Sequence, residues 1–498
     1  MEIYIVIILK NKLLKYFKKD NTLFIIVLKL YKFNQKCNFY NDYTFKLNIK
    51  LKIIMLGFET IGNATVTVFD NEPVLTTDPW INGKPYFGSW CHKYKIPNQQ
   101  LDNIKKSKFI WLSHGHPDHI DPDSLDLFKN KTLLIPDHYG DRIFNDLSKN
   151  FNCIKIKSNQ WFEVSKRIRI KSFSDWNQDA ALLIEIDRKD ILFNLNDGSG
   201  LGWSKEIKKI LNNYKNRFLL KLINWGDADM INFYNHHNEF ILPLAAEKKP
   251  CGQSYSYYMR KWNCNFSIPF SCFHRYSRRD TLDMNKYVTP LQEHFTGFNN
   301  KNGELLPAHI NWNTEKSNFE KINPKENNNE IFDPDHYGDN WNDNLDVGDN
   351  IIIEKYFKQF YHIKKKFGFL NFKVGKSELN IKLSNRKEGI SFNAPRNSLI
   401  FSIKNKIFDD MLIGNFMKIQ LLNVPSLYPD FTPYIAKYGD NGFALSKAEL
   451  NKYFDYYKFN STNYWLDYLK LKSESIIRSK IEKYKSIYFF ARSIKRKF

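Results

Sequence analysis

Trp111-Leu-Ser-His-Gly-His-Pro-Asp-His-Ile-Asp121 is the stretch from which the fold of this 498-residue chain can be inferred. It holds four potential metal ligands within six residues, namely His114, His116, Asp118 and His119. Imidazole nitrogen and carboxylate oxygen both bind Zn²⁺, at about 2.0–2.2 Å. Because residues i and i+2 of an extended segment point to the same side, His114 and His116 can share one ion. Asp118 and His119 can then turn toward a second ion, so the stretch predicts a metal centre.

The flanks of this stretch predict a strand before it and a helix after it. Residues 109–112 form a short apolar run, which is typical of a buried strand. Asp121 followed by Pro122 is typical of an N-cap and a first helical residue, and predicts a helix through residue 128. The potential ligands are therefore expected at the exit of a strand, where open α/β folds place their sites.

The pattern His-x-His-x-Asp-His at a strand end resembles the signature of the metallo-β-lactamase fold superfamily. Upstream, Gly62-Asn-Ala-Thr-Val66 followed by Pro73-Val-Leu-Thr-Thr-Asp-Pro-Trp80 resembles the opening β-hairpin of that superfamily. Downstream, Ile191-Leu-Phe-Asn-Leu-Asn-Asp-Gly198 is an apolar strand that ends in an aspartate. The resemblance implies that Asp78 supports the metal ligands from behind and that Asp197 bridges two metal ions.

Within this superfamily, the chain is similar to the metallo-β-lactamase-like part of CMP-N-acetylneuraminate hydroxylases over roughly residues 55–290, with a looser similarity near residues 411–442. The similarity lies in five motifs: Thr77-Asp-Pro-Trp80, Tyr86-Phe-Gly-Ser-Trp90, Leu112-Ser-His-Gly-His-Pro-Asp-His119, Asp175-Trp-Asn-Gln-Asp179 and Ile268-Pro-Phe270. The resemblance implies a site for a sugar nucleotide or a similar small molecule.

The chain departs from these families in two places. Where the superfamily has a third histidine ligand, this sequence has Asp175, which adds negative charge and favours harder metals. The hydroxylases also carry a Rieske iron–sulfur centre, which needs two cysteines and two histidines in paired spacing. The sequence contains no such pair, and Cys91 and His92 are adjacent. Hydroxylation would therefore need a separate Rieske partner.

The resemblance and the residue types together imply a set of site residues. One metal would be bound by His114, His116 and Asp175, and the other by Asp118, His119 and Asp197. Zn²⁺ in one or two copies is the expected cofactor, with Fe²⁺ or Mn²⁺ as alternatives. Asp118 and His119 are the catalytic candidates. Further candidates are Trp80, Arg275 and Arg278 for substrate binding, and His236, His237 or His274 for a late metal ligand.

Composition limits the partners and the compartment. The net charge is +22, but residues 1–54 and 470–498 each carry +8, so specific nucleic-acid binding at the site is not expected. Six cysteines scattered along a long chain suit a reducing cytoplasm rather than a disulfide scaffold. The basic helix expected at the C-terminus can pack on the protein or contact an anionic membrane surface.

The predicted fold class is α/β, an αββα metallo-β-lactamase sandwich with a smaller C-terminal α+β domain. Residues 55–300 form the sandwich, and 1–54 are a basic extension, with Met55 as a plausible true start. The Asn- and Asp-rich residues 301–349 are expected to be a polar linker or long loop. Residues 350–498 form the second domain, in which 398–403 are expected to be a strand and 406–413 a helix.

The leading functional hypothesis is a metal-dependent hydrolase acting on a polar, anionic small molecule such as a nucleotide sugar, phosphodiester or lactone. A bound ion of this kind makes hydroxide available near neutral pH. One alternative is the substrate-binding component of a CMP-sialic-acid-type hydroxylase. Another is a non-catalytic binder in surface-sugar metabolism, and a nuclease ranks last because the basic charge lies mostly at the chain ends.

Overall fold

The computed structural model describes residues 55–224, 231–299, 301, 303–327 and 330–481, with side chains through residue 473. Two compact units are distinguished, Met1–Ile53 and Ile54–Phe498, and the description below concerns the second. The predictions for residues 1–54 and for residues 482–498 of the basic terminal helix lie outside the described residues. Among the described helices, none is both long enough and apolar enough to cross a membrane.

The strands of the described residues are numbered in chain order. They are β1 (Leu56–Ile61), β2 (Thr65–Asp70), β3 (Glu72–Thr77), β4 (Trp90–His92), β5 (Phe109–Trp111), β6 (Thr132–Pro136), β7 (Asn152–Ile156), β8 (Trp161–Glu163), β9 (Ile168–Ser174), β10 (Ala180–Ile186), β11 (Asp190–Asn196), β12 (Asn216–Lys221), β13 (Phe233–Tyr234), β14 (Phe266–Pro269), β15 (His274–Tyr276), β16 (Glu304–Leu305), β17 (Ile310–Asn313), β18 (Asn318–Lys321), β19 (Phe369–Val374), β20 (Ser377–Lys382), β21 (Gly389–Asn393) and β22 (Lys418–Leu422).

The α-helices are numbered in the same way. They are α1 (Asn98–Lys106), α2 (Pro122–Leu125), α3 (Arg142–Leu147), α4 (Ser204–Leu211), α5 (Gly252–Trp262), α6 (Val347–Lys358), α7 (Tyr361–Lys366), α8 (Arg396–Asn405), α9 (Phe408–Gly414), α10 (Lys447–Asn460) and α11 (Tyr464–Ile481). Short 3₁₀ turns and one π-helical turn, Pro433–Lys437, connect them.

Two large sheets form the centre of the protein. The first has the order β18-β17-β1-β2-β3-β5-β6-β7, and the second has the order β16-β14-β12-β11-β10-β9-β8. Successive side chains of a strand point to opposite faces, so alternate residues of β10 divide between two cores. Leu182 and Ile184 join the core that contains residues of both sheets, whereas Leu183 joins a core with α4 and α5. The two sheets therefore pack face to face.

Helices cover the outer faces of both sheets. On the first sheet, Ile110 and Leu133 pack with Ile104 of α1 and Leu125 of α2. On the second sheet, the outward residues pack with α4 and with Trp262 of α5. The resulting order is helices, sheet, sheet, helices, which confirms the predicted αββα sandwich. The N-cap prediction is also met, because Asp121 Oδ2 accepts a 2.8 Å hydrogen bond from the amide of Ser124.

Residues 301–349, which we expected to be a linker or loop, contribute strands to both sheets of the sandwich. β17 pairs with β1 in antiparallel register, and β18 pairs with β17. Ile310 and Trp312 are buried between polar neighbours, and Trp312 Nε1 donates a 2.7 Å hydrogen bond to Asp190 Oδ2. Because the stretch is rich in Asn, its short strand with alternating buried residues was not predicted. The pairing of this strand extends the sandwich beyond residue 300.

The C-terminal part is built on a third sheet with the order β13-β22-β21-β19-β20. Residues 398–403, expected to be a strand, lie inside helix α8. Leu399, Ile400 and Ile403 are the apolar residues buried there, and their spacing of three and four residues suits one helical face. The helix predicted at 406–413 is observed as α9. Helix α9 is important for the candidate site, because it brings Asp409 to within 3.0 Å of His116.

Candidate metal centre

The metal-ligand candidates come from three strand ends of the two sheets. Asp78 follows β3, the segment that contains His114, His116 and His119 follows β5, and Asp197 follows β11. β3 and β5 are parallel neighbours, so their carboxyl ends meet at one edge of the first sheet. The end of β11 lies at the facing edge of the second sheet. The sandwich thereby gathers residues that are up to 119 positions apart in the sequence.

Three side chains converge on one point. His114, His116 and Asp197 each offer one ligand atom, and these atoms lie within 4.8 Å of one another. His114 Nε2 is 2.9 Å from His116 Nδ1 and 3.7 Å from Asp197 Oδ2. Ligands placed about 2.0–2.1 Å from a tetrahedral ion are about 3.3–3.5 Å apart. The observed separations bracket that value, so the residues present fit a metal such as Zn²⁺.

His119 lies close to the Asp197 carboxylate and to Asp118. Its Nε2 atom lies 3.2 Å from Asp118 Oδ2 and 3.6 Å from Asp197 Oδ2. Asp197 Oδ2 is thus close to both His114 and His119. The same Asp197 side chain accepts a 2.9 Å hydrogen bond from Ser271 Oγ through Oδ1, and this contact orients it.

Asp78 lies behind the ligands, at the position where a supporting role was predicted. Its Oδ1 accepts a 2.7 Å hydrogen bond from the amide of Ser113, and its Oδ2 accepts one of 3.2 Å from Asn196 Nδ2. Oδ2 also lies 3.4 Å from His119 Nδ1. The buried carboxylate therefore connects the ends of β3, β5 and β11, and it faces the nitrogen of His119 that points away from Asp197.

Two donors that the sequence did not single out hold Asp118. Tyr86 Oη donates a 2.5 Å hydrogen bond to Asp118 Oδ1, and Asn63 Nδ2 donates one of 2.9 Å to Oδ2. Tyr86 and Phe87 both have φ values of 57°, in the left-handed region that is unfavourable for aromatic residues. Local strain of this kind is often located at functional sites. Here it accompanies the placement of the Tyr86 hydroxyl on the carboxylate.

Removing that hydroxyl tests the contact. In Tyr86→Phe, the buried Asp118 carboxylate loses a donor, so we expect the free energy of unfolding to fall by about 1–3 kcal/mol. Urea denaturation measures this fall. Tyr94→Phe is the matched control, since the ring of Tyr94 packs on Phe273 and His309. Equal losses in the two variants would contradict the assigned contact.

The pKa values of the three candidate ligands are shifted in different directions. Burial lowers the pKa of His114 to about 3, so this imidazole stays neutral and keeps a lone pair for a metal. Burial alone would raise the pKa of Asp197, but the hydrogen bond and charge of His119 lower it to about 2. Burial would lower the pKa of His116, but the hydrogen bond and charge of Asp409 raise it to about 9.

A cavity of about 220 Å³ opens beside these residues. His114 and His116 line it from the sandwich, as do Arg142 of α3 and Asp179 after β9. The C-terminal part supplies most of the opposite wall, through Lys406, Asp409, Asp410, Lys437 and Asp440. Lys437 Nζ lies 3.7 Å from Asp179 Oδ2 across the cavity. None of these C-terminal residues was predicted to be a site residue.

Asp175, predicted to replace the third histidine ligand, lies outside the three-residue metal cluster. It begins the turn between β9 and β10, where its Oδ1 accepts a 2.8 Å hydrogen bond from the amide of Asn177. Its Oδ2 accepts one of 3.1 Å from Ser199 Oγ. Burial and the charge of Asp179 raise its pKa to about 7. These contacts give Asp175 a role in the hairpin turn and do not support a ligand role.

The substrate-binding candidates are also placed differently from the prediction. Trp80 is fully buried and stacks on His92, with ring centroids 3.9 Å apart. Arg275 Nη1 donates a 3.0 Å hydrogen bond to the carbonyl of Asn327. Arg278 is buried between Asp280 and Asp339, at 2.9 and 2.8 Å. None of the three lines the cavity beside His114 among the described residues, so their contacts are structural.

The late-histidine candidates separate into two groups. His236 and His237 lie on the exposed turn after β13. His274 is buried and stacks on Trp90, with centroids 3.5 Å apart, and its Nε2 has no hydrogen-bond partner among the described residues. Burial lowers the pKa of His274 to about 3, so it is neutral. His274 is therefore the one of the three with the burial of a metal ligand.

Comparison with known sequences finds short similarities. No protein-family model matches the chain. It is 28% identical over 130 residues to cytidine monophosphate-N-acetylneuraminic acid hydroxylase of Asterias rubens, covering 23% of this chain and 20% of that protein. It is 25% identical over 159 residues to a protein of Mycolicibacterium smegmatis described as a Rieske 2Fe-2S iron-sulfur protein, covering 28% and 29%. The matches thus span less than a third of these relatives.

Comparison with solved structures gives low similarity scores. The chain is similar to an isothiocyanate hydrolase from Delia radicum gut bacteria, at 14% identity and a TM-score of 0.32, over 44% of this chain and 86% of that one. It is similar to CmlA, a diiron β-hydroxylase from Streptomyces venezuelae, at 9% identity and a TM-score of 0.31, over 43% and 44%. TM-scores this low do not support a fold assignment, so the fold is assigned from the strand order and the placement of the candidate ligands.

Strand order and ligand placement define the class of protein. Two facing sheets carry helices on their outer faces, and the stretch His-x-His-x-Asp-His leaves the end of β5. Asp197 reaches the same point from the end of β11. These are the features of a metallo-β-lactamase fold, as the sequence predicted.

Proposed function

We propose that this chain is a metal-dependent hydrolase of the metallo-β-lactamase type, acting on a small polar molecule. The observation that carries the proposal is the convergence of His114, His116 and Asp197 beside an open cavity. Zn²⁺ is the ion we expect, because two imidazoles and a carboxylate suit it, and Fe²⁺ or Mn²⁺ are alternatives. The cavity of about 220 Å³ suits part of a nucleotide sugar, a phosphodiester or a lactone.

The residues of the candidate site would have different roles in the proposed hydrolysis. When bound, the ion supplies a polarising charge and lowers the pKa of water to about 7. His114, His116 and Asp197 would hold it. Asp118 is the candidate proton acceptor. Burial would raise the pKa of Asp118, but the charge and hydrogen bond of His119 lower it. His119, 3.2 Å away, holds a proton beside that carboxylate.

The charged side chains that line the cavity are relevant to the proposed anionic character of the substrate. Arg142, Lys406 and Lys437 contribute positive charge, and a bound divalent ion would add to it. Asp146, Asp179 and Asp409 contribute negative charge to the same cavity, whereas burial raises the pKa of Asp410 well above its usual range and that of Asp440 to about 7. An anionic group would therefore be accommodated at the metal end of the cavity, where the charge of the ion is closest.

A direct assay tests the proposal. The purified protein, loaded with Zn²⁺, is incubated with a lactone, a bis-aryl phosphodiester and a nucleotide sugar, and product formation is followed. We expect hydrolysis of one class, its loss after chelation and its return when Zn²⁺ is restored. Stoichiometric metal without hydrolysis in any class would favour a non-catalytic binder in surface-sugar metabolism.

A second candidate is supported by the names of the similar sequences. Hydroxylases of CMP-N-acetylneuraminic acid and a Rieske protein are among them. In that case this chain would be a substrate-binding component, and a separate Rieske protein would deliver electrons. The iron-loaded chain, mixed with a Rieske protein, a reductant, O₂ and CMP-N-acetylneuraminic acid, would then form the hydroxylated product. The zinc-loaded chain would not.

A further inference from the structure

The metal centre has one contact that comes from the C-terminal part of the chain. Asp409, on helix α9, places Oδ2 3.0 Å from His116 Nε2. The two residues are 293 positions apart. Both side chains are largely enclosed, with 13% of Asp409 and 25% of His116 exposed. The contact is therefore a polar link between the sandwich and the C-terminal part, directly at the candidate ligand.

The two ring nitrogens of His116 face different partners. Nε2 faces Asp409, whereas Nδ1 lies 2.9 Å from His114 Nε2, at the point where the three ligand atoms meet. An imidazole that donates the proton of one nitrogen to a carboxylate presents the lone pair of the other nitrogen to a metal. The orientation of His116 thus assigns Nδ1 as the ligand atom and Nε2–H as the donor to Asp409.

Helix α9 is held firmly enough to give that contact a defined position. Its residues Phe408, Met411 and Leu412 are almost completely buried in the C-terminal core. Asp409 and Asp410 are turned to the cavity, where Lys437 and Asp440 lie beside them. Of the two aspartates on α9, Asp409 is the one whose oxygen reaches the imidazole at hydrogen-bonding distance.

We propose that Asp409 is a positioning residue for the metal centre. It selects the tautomer and the ring orientation in which His116 offers Nδ1 to the metal, so that the C-terminal part completes the site. The proposal rests on the proposed metal-dependent function, since it concerns a ligand of the same centre. Carboxylate partners of ligating histidines typically contribute 10–100-fold to metal affinity.

The test compares Zn²⁺ affinity in variants of the full-length chain by competition with a chromophoric chelator. We expect Asp409→Ala to bind Zn²⁺ about 10–100-fold more weakly than wild type. Asp409→Asn has the same shape and keeps an oxygen that accepts from Nε2–H, so it should lie between the two. Asp146→Asn is the matched control. It removes one charge from the same cavity, at a residue that pairs with Lys149, and should change affinity less than twofold.

The thermal midpoint in the absence of metal separates a positioning role from a structural one. We expect the midpoint of metal-free Asp409→Asn to match that of wild type while its Zn²⁺ affinity falls. Unchanged affinity in both Asp409 variants, with stoichiometric Zn²⁺ in wild type, would overturn the proposal and leave the metal centre intact. Failure of wild type itself to bind any divalent metal would overturn the metal centre and this proposal together.

Discussion

Replacing His114 with alanine is expected to abolish tight Zn²⁺ binding and, with it, the metal-dependent gain in stability. His114 is 4% exposed, and its Nε2 faces both other members of the ligand group. With free metal at 100 times its dissociation constant, wild type should gain about 2.7 kcal/mol in the free energy of unfolding. His114→Ala should gain almost nothing, because two ligands remain.

Elemental analysis and the thermal midpoint with and without Zn²⁺ measure this effect. Asp175→Asn is the informative control, since Asp175 lies in the β9–β10 turn rather than in the ligand group. It should retain the metal stoichiometry of wild type. If Asp175→Asn loses metal as completely as His114→Ala, the ligand set inferred from the sequence is right and the one inferred from the structure is wrong. If neither variant changes metal content, the centre lies elsewhere.

The second large effect is expected at Arg278. This side chain is fully buried, pairs with Asp339 at 2.8 Å and lies over the ring of Phe416, 4.1 Å from its centroid. It also donates a 3.0 Å hydrogen bond to the carbonyl of Phe87, next to Tyr86. Arg278→Met keeps much of the volume but leaves the Asp339 carboxylate buried without its cation. Breaking a buried pair in this way costs about 3–5 kcal/mol.

Chemical denaturation of Arg278→Met and of Arg279→Met measures this difference. Arg279 is the adjacent arginine and pairs with Asp333 on the surface, where 61% of the Arg279 side chain is exposed. Solvent screens that pair, so its loss should leave the transition close to that of wild type. Similar shifts in both variants would show that Arg278 does not link the loop around Phe87 to the C-terminal part as described.

Much of the fold could be predicted because its signals are local. The apolar run before His114, the Asp121 N-cap and the aspartate at the end of β11 were each identified from neighbouring residues. The failures have physical reasons as well. Trp312 belongs to a short strand in an Asn-rich stretch that was predicted to be a linker or loop. The apolar residues of α8 were predicted to form a strand, but in the structure they lie on one helical face.

The sequence by itself indicated the fold of this protein and the positions of its candidate histidine ligands. Those properties depend on the spacing of residues that are close together in the sequence. In a strand or a turn, the backbone geometry and this spacing determine the direction in which each side chain points. Only the tertiary structure decided that Asp175 stays in its hairpin, that Tyr86 holds Asp118, and that Asp409 faces His116. These contacts join segments up to 293 positions apart. The packing of the sheets and helices determines which residues make these contacts, and no local sequence pattern predicts that packing.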